Sequence, residues 1–175
     1  MGICVRVFVF IFLLLAVGCA IASCLTDVFR YEESLPGSDK TLSKVHLQYF
    51  KFQGDVLDSA KMDLPWTLIN GDDCKQRMTI AGALCAAGGG VALIGMIFEA
   101  IYLACDNSCC FSCLIMFICF IAFACEGVAF ALSITAVMGD SRTCKPLENG
   151  YVEGFGLAVA SCGLCFICIF LQLCA

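Results

Sequence analysis

Residues 7–26, VFVFIFLLLAVGCAIASCLT, form an unbroken run of uncharged, mostly apolar side chains, and residues 78–98, MTIAGALCAAGGGVALIGMIF, form a second. A helix that crosses a bilayer needs roughly 20 such residues at about 1.5 Å rise each. Two further stretches qualify: Asn107 to Gly139, interrupted by Glu126 alone, and Gly154 to the end of the sequence. Of the 175 residues 61% are hydrophobic and only 14% charged, too few polar side chains to cover four such segments in water. The reading is an all-α membrane fold, a bundle of four transmembrane helices.

The charge-free runs place the helices at about 5–26, 78–105, 109–138 and 152–174. Residues 27–77 are then the one polar segment long enough to fold outside lipid. Asp106 to Ser108 makes a tight turn, and 139–151 a second polar loop on the side of the first. About 50 residues build little core unaided, so the segment must rest on the helix ends, and 1–175 reads as a single tetraspan domain with a cap. Within the cap Val45, Leu47 and Tyr49 alternate with His46 and Gln48, and Met62, Leu64, Trp66 and Leu68 alternate with Asp63, Pro65 and Thr67. Alternation of period two with aromatics indicates half-buried strands. Gly54-Asp55 and Asn70-Gly71 read as turns, and Pro65 confines the second strand to an edge. The expected cap is a small antiparallel β-sheet.

The first segment has a competing explanation. Arg6, the apolar run and Ala20-Ile21-Ala22 have the layout of a cleaved signal peptide, and Ile21-Ala22-Ser23-Cys24 would pass for a lipoprotein box. The run exceeds the roughly 7–15 residues of a signal core, which favours a retained helix. Charge does not decide orientation: the 27–77 segment carries seven Lys and Arg but nine Asp and Glu, and its positives are mostly distant from the membrane ends where they would act.

Two acids, Glu99 and Glu126, fall inside the spans. A charge there costs at least ~2.5–3.5 kcal/mol and raises a functional hypothesis by default. Helical rise separates the two by about 17 Å in depth, so they are not a pair, and the uncharged runs that define the spans hold no Lys, Arg or His to partner either. Most of the sixteen cysteines lie in apolar runs, where a thiol behaves as a small hydrophobe. Cys105, Cys109, Cys110 and Cys113 cluster at the tight turn as candidates for S-palmitoylation. Zinc is a poorer reading, because Cys109 and Cys110 are adjacent and a three-residue turn offers little scaffold. Small residues four apart, Gly82-Ala86-Gly90 and Gly150-Gly154-Ala158-Cys162, mark helix-packing faces.

Enzymatic constellations are not recognisable. His46 has no evident acid with a serine or cysteine to form a catalytic arrangement and reads as a polar strand-face residue. Gly88-Gly89-Gly90 lies within a helix rather than in a phosphate-cradling loop. The expectation is a non-catalytic protein with no cofactor, no metal and no nucleic-acid partner.

Cys144-Lys-Pro146-Leu147, followed by Tyr151, Gly154, Gly156 and Ala158, opens the last helix; Leu25-Thr-Asp-Val-Phe29-Arg30 leaves the first; Trp66, Cys74 and Arg77 precede the second. With the order of spans and loops, this pattern resembles the amastins, four-span surface proteins of trypanosomatids. The chain is a divergent case: His46-Leu-Gln-Tyr49-Phe50-Lys51 stands where the family carries a cysteine-flanked Leu-Trp-Gly motif. The resemblance implies a claudin-like sheet on a bundle at the plasma membrane, with both polar loops outside and both termini and the Asp106 turn cytosolic. It implies a surface protein that organises membrane or meets a host or surface partner or a second copy, with His46, Tyr49, Phe50 and Trp66 as interaction candidates on the cap. The alternative is a small transporter or channel using Glu99 and Glu126. Cys74 and Cys144 each stand where the resemblance puts a cysteine, and they alone lie well inside the polar loops. Their disulfide would close a loop of about 70 residues, worth roughly 4 kcal/mol on the chain-entropy view. The rival pairing joins Cys24 to Cys74 and leaves Cys144 free.

Overall fold

The computed structural model describes residues 2–34, 41–56, 60–63, 72–105, 109–137, 144 and 153–173. Among them α1 spans Gly2–Leu25, and β1 (Phe29–Ser34), β2 (Thr41–Leu47), β3 (Phe52–Val56) and β4 (Ala60–Asp63) follow. Then come α2 (Asp72–Cys105), α3 (Cys109–Val137) and α4 (Glu153–Leu173). All four helices are long and apolar enough to cross a membrane. They adjoin in a ring, α1–α2, α2–α3, α3–α4 and α4–α1.

Each helix buries residues alternately three and four positions apart. In α1 these are Arg6, Val9, Leu13, Ala16, Ala20 and Ser23; in α4 Gly154, Ala158, Ser161, Cys165, Cys168 and Gln172. In α2 the row runs Cys74, Met78, Ala81, Cys85, Gly88, Ala92, Gly95 and Glu99, and in α3 Ile115, Cys119, Ala122, Glu126, Ala129, Ser133 and Ala136. A mean spacing of 3.5 is the seam of left-handed helix packing. Small side chains on that seam let backbones approach closely. The large apolar side chains face outward instead, with Phe8, Ile94, Phe117, Phe120 and Phe170 all exposed. That distribution is the reverse of a water-soluble bundle, whose outer face is polar.

The seam revises the two rows of small residues read from sequence. Gly82, Ala86 and Gly90 do not share one packing face: Gly82 is buried against the cap, whereas Ala86 and Gly90 are exposed. The close approaches fall at Gly88, where an added Cβ would stand 2.6 Å from Glu126 Cγ, and at Gly89, 2.8 Å from Ala20 Cβ. In α4 Gly154 and Ala158 are buried as expected, and Gly150 lies outside the described residues. Helix boundaries agree with expectation to within a residue at most ends, with two departures. α2 begins at Asp72 rather than 78, because an uncharged run marks the part of a helix that suits lipid and not the charged turns that continue beyond it. α1 begins at Gly2 rather than 5, which moves Arg6 from the first residues of the helix into its second turn.

The cap is a four-stranded antiparallel sheet in the order β1-β2-β3-β4. Phe29 pairs with Leu47 at the end of the sheet that meets the bundle, and both are buried in its core. β1 and β3 were not apparent from alternation. Gly54-Asp55 is not a turn: Gly54 sits mid-strand, paired with Val45 on one side and Met62 on the other. The reversal falls earlier, at residues 48–51, closed by Gln48 N donating to Lys51 O at 2.9 Å. The strand expected around 62–68 is described only as far as Asp63, and Pro65, Trp66 and Asn70-Gly71 lie outside the described residues.

Gly88→Ala should destabilise the purified protein by about 1–3 kcal/mol, as overpacking does, because its Cβ would also stand 3.2 Å from the Ala122 carbonyl. Gly90→Ala meets nothing within 4 Å and should stabilise by about 0.5–1 kcal/mol through helix preference. Thermal unfolding in detergent compares the two, and similar midpoints for both variants would contradict the seam.

Candidate functional site

Asp27, just past α1, ties the cap to the helices. Its Oδ2 is bonded to His46 Nδ1 of β2 and accepts from Arg30 Nη2 at 3.1 Å, and its Oδ1 accepts from Gln48 Nε2 at 3.1 Å. Its backbone carbonyl accepts from Gly154 N at the start of α4, 2.9 Å away. A side chain at 154 could not fit there, since its Cβ would lie 2.6 Å from that same oxygen. Val28 N donates to Leu47 O at 2.9 Å, extending the β1–β2 pairing down to the helix end. Burial works to raise the Asp27 pKa, but hydrogen bonds from His46, Gln48 and Arg30 outweigh it and hold the carboxyl below its ordinary value.

Tyr49 is a second anchor. It sits in the β2–β3 turn yet is fully buried, driven between α2 and α3. Gly82 makes the room, since a Cβ there would come within 2.6 Å of Tyr49 Cβ. The phenol oxygen accepts from Ser133 Oγ at 3.4 Å, and burial pushes its pKa up to about 12, so it stays neutral. The third tie is covalent. Cys74, in the first turn of α2, forms a disulfide with Cys144, their Cα atoms 5.0 Å apart, and Cys144 N donates to Ala136 O at 3.0 Å. Cys24 is a free thiol, so the rival Cys24–Cys74 pairing is not the one formed.

The two buried acids occupy separate levels. Glu126 is 1% exposed and Glu99 is fully buried. Ser161 Oγ lies 2.8 Å from Glu126 Oε1 and 2.8 Å from the Ala16 carbonyl. A hydroxyl has one proton to give. Both contacts are used when Ser161 donates to Ala16 and a neutral Glu126 carboxyl donates to Ser161. Glu99 does have a cationic neighbour, contrary to the expectation from sequence: Arg6 Nη1 lies 3.5 Å from its Oε1. Its Oε2 accepts from Gln172 Nε2 at 2.8 Å, and Gln172 Oε1 accepts from Ser112 Oγ at 3.0 Å. Arg6 was missed because helix α1 starts earlier than its charge-free run and turns the guanidinium inward.

The candidates on the cap fare unevenly. His46 is 5% exposed and bonded to an acid, and Tyr49 is fully buried, so neither is a free strand-face residue offered to a partner. The His46–Asp27 pairing escaped the sequence because it spans 19 positions with no local pattern. Phe50 is half exposed, and its ring edge lies over Gly82. Trp66 lies outside the described residues. At the tight turn Cys113 is exposed, while the side chains of Cys105, Cys109 and Cys110 are outside the described ones. Among the described residues no group of three or more His, Cys, Asp or Glu is arranged to hold a metal. In comparisons with known proteins, no family model and no curated sequence matches the chain.

Two outcomes follow from these ties. Because the folded Asp27 pKa is lowered, its contribution is complete above the unfolded value near 3.9 and is lost as pH falls through the lowered folded value. Asp27→Asn should cost about 1.5–3 kcal/mol at neutral pH, the range for hydrogen bonds to a charged group. It should also flatten the acid limb of the stability–pH curve, and an unchanged limb would remove Asp27 from this role. Cys144→Ser should lower stability by roughly 4 kcal/mol, and non-reducing peptide mapping of the wild type should recover a Cys74–Cys144 crosslinked peptide.

Proposed function

We propose that this chain is a non-catalytic, multi-pass membrane protein of the cell surface, amastin-like, whose four helices cross the bilayer. It displays its sheet outside, where it organises membrane or meets a surface partner. The observation that carries the orientation is the Cys74–Cys144 disulfide on the cap side, since such bonds persist in oxidising compartments and are rare in the cytosol. The Asp106 turn and both termini then face the cytosol. The outward apolar surface of all four helices supports a lipid surround. The packing of α1 against α2 and α4 supports a first helix that is retained, because its loss would strip Arg6 from Glu99 and Ala16 from Ser161. The buried acids support a structural role, each being engaged by neighbours at its own level with no charged group between them on the seam.

One observation favours a second reading, a small transporter or channel. Glu99 Oε1 and Glu126 Oε2 are buried without a hydrogen-bond partner among the described residues, and intramembrane carboxylates of that kind mark ion paths in other proteins. Reconstituted vesicles separate the two. Wild type should pass no protons or cations above empty vesicles, and Glu126→Gln should fold normally, since an amide can still donate to Ser161. Robust uptake abolished by Glu126→Gln would establish transport. For topology, a tag inserted between β3 and β4 should be labelled on intact cells and one at the C-terminus only after permeabilisation. The reverse result would invert the orientation.

A further inference from the structure

The end of the bundle opposite the cap holds a cavity of about 430 Å3 lined by residues near the ends of all four helices. Arg6 comes from α1, Tyr102 from α2, Ser112 and Met116 from α3, and Gln172 and Leu173 from α4. Arg6 is only 6% exposed, and its Nη1 has no hydrogen-bond partner among the described residues. The guanidinium carbon lies over the Tyr102 ring, 3.6 Å from its centroid. Glu99 Oε1 lies 3.5 Å from Arg6 Nη1 without a hydrogen bond to it, and the other Glu99 oxygen accepts from Gln172. Gln172 in turn fixes the Ser112 hydroxyl at the cavity wall. Ser112 has its one proton committed to Gln172, so the donors on offer are those of the fixed guanidinium, whose N–H groups suit the oxygens of a phosphate.

The rest of the lining is apolar. Met116 and Leu173 form the side of the cavity, and Leu173, 65% exposed, carries that apolar side out to the surface of the bundle. A free anion has no use for such an exit, whereas an acyl chain does. The volume lies within the roughly 300–1,000 Å3 of small-ligand sites.

We propose that this cavity binds the phosphate of an anionic phospholipid from the leaflet opposite the cap, with the lipid tail following the Met116–Leu173 side. The inference rests on the reading that the helices cross a bilayer. In the orientation proposed above, that leaflet is the cytosolic one, which is rich in anionic lipid.

The test uses the full chain purified in detergent, with binding followed by native mass spectrometry and thermal unfolding. Dioleoylphosphatidylglycerol should bind at one site and raise the midpoint, while dioleoylphosphatidylcholine at the same concentration should not. Arg6→Gln combined with Glu99→Gln removes both charges without stranding either, and should weaken phosphatidylglycerol binding about tenfold or more, the loss of a charge-assisted phosphate contact. Met116→Trp fills the cavity from its apolar side with the ion pair intact, and should weaken it as well; this variant keeps the test open if the first does not fold. Equal binding of the two lipids, or undiminished binding in both variants, would overturn the proposal. So would inorganic phosphate alone giving the full midpoint shift, which would assign a free-anion site. Alkaline carbonate extraction of membranes tests the bilayer reading separately: release of the chain defeats that reading, whereas a retained chain without lipid preference defeats only this inference.

Discussion

Close approach of helix backbones along a seam of small residues is the constraint on which the rest of the molecule depends. In lipid there is no gain from burying apolar surface between helices, since the tails are as apolar as leucine; packing contacts and internal hydrogen bonds must hold the bundle. Gly88, Gly89 and Gly95 bring α2 to within contact of Glu126, Ala20 and Ile118. Because the backbones are that close, short side chains reach across: Ser161 touches the α1 carbonyl of Ala16, and Cys168 Sγ lies 3.8 Å from that of Val9. A bundle spaced by leucines would leave those groups out of reach.

The same closeness explains how two carboxyl groups are accommodated. An unpaired polar group in an apolar interior costs several kcal/mol, and the seam answers with a different device at each level. Glu126 has a hydroxyl relay to a backbone carbonyl, and Glu99 has an amide and a guanidinium. Toward the cap, Asp27 does in a wetter setting what these do inside, drawing a strand, a turn and a helix start to one carboxylate. Polar residues thus mark the levels at which α1 is registered against its neighbours, and the apolar residues between them fill space.

Much of the architecture was legible because the demand a bilayer makes is local. Twenty uncharged residues in a row are visible without knowing what they touch, and so Val7–Thr26 and Met78–Phe98 announced their helices. The pairing of Cys74 with Cys144 was legible for a related reason, since exclusion of the other thiols to apolar runs left few candidates. What stayed hidden was tertiary. The seam has no hydropathy signature, because alanine, glycine and cysteine inside differ little in polarity from phenylalanine and isoleucine outside. Arg6 read as a flank, His46 as a solitary polar residue and Gly54 as a turn. Arg6 and His46 are decided by partners remote in sequence, Glu99 and Asp27, and Gly54 by pairing with the strands on either side of β3. Tyr49 looked like a displayed aromatic and is a wedge.

The division between a seam of narrow tolerance and an outer face that need only be greasy has a bearing on kinship. Ile94, Phe117 and Phe120 face outward, and each could be exchanged for another bulky apolar residue with little effect on the packing inside. The positions that carry shape are few, mostly alanine, glycine, serine and cysteine, and recur at intervals of three and four. Two such proteins could share every feature that matters here while agreeing at few of their positions. Ancestry in this architecture would be written in the rhythm of its smallest side chains and in the handful of groups that fasten the sheet.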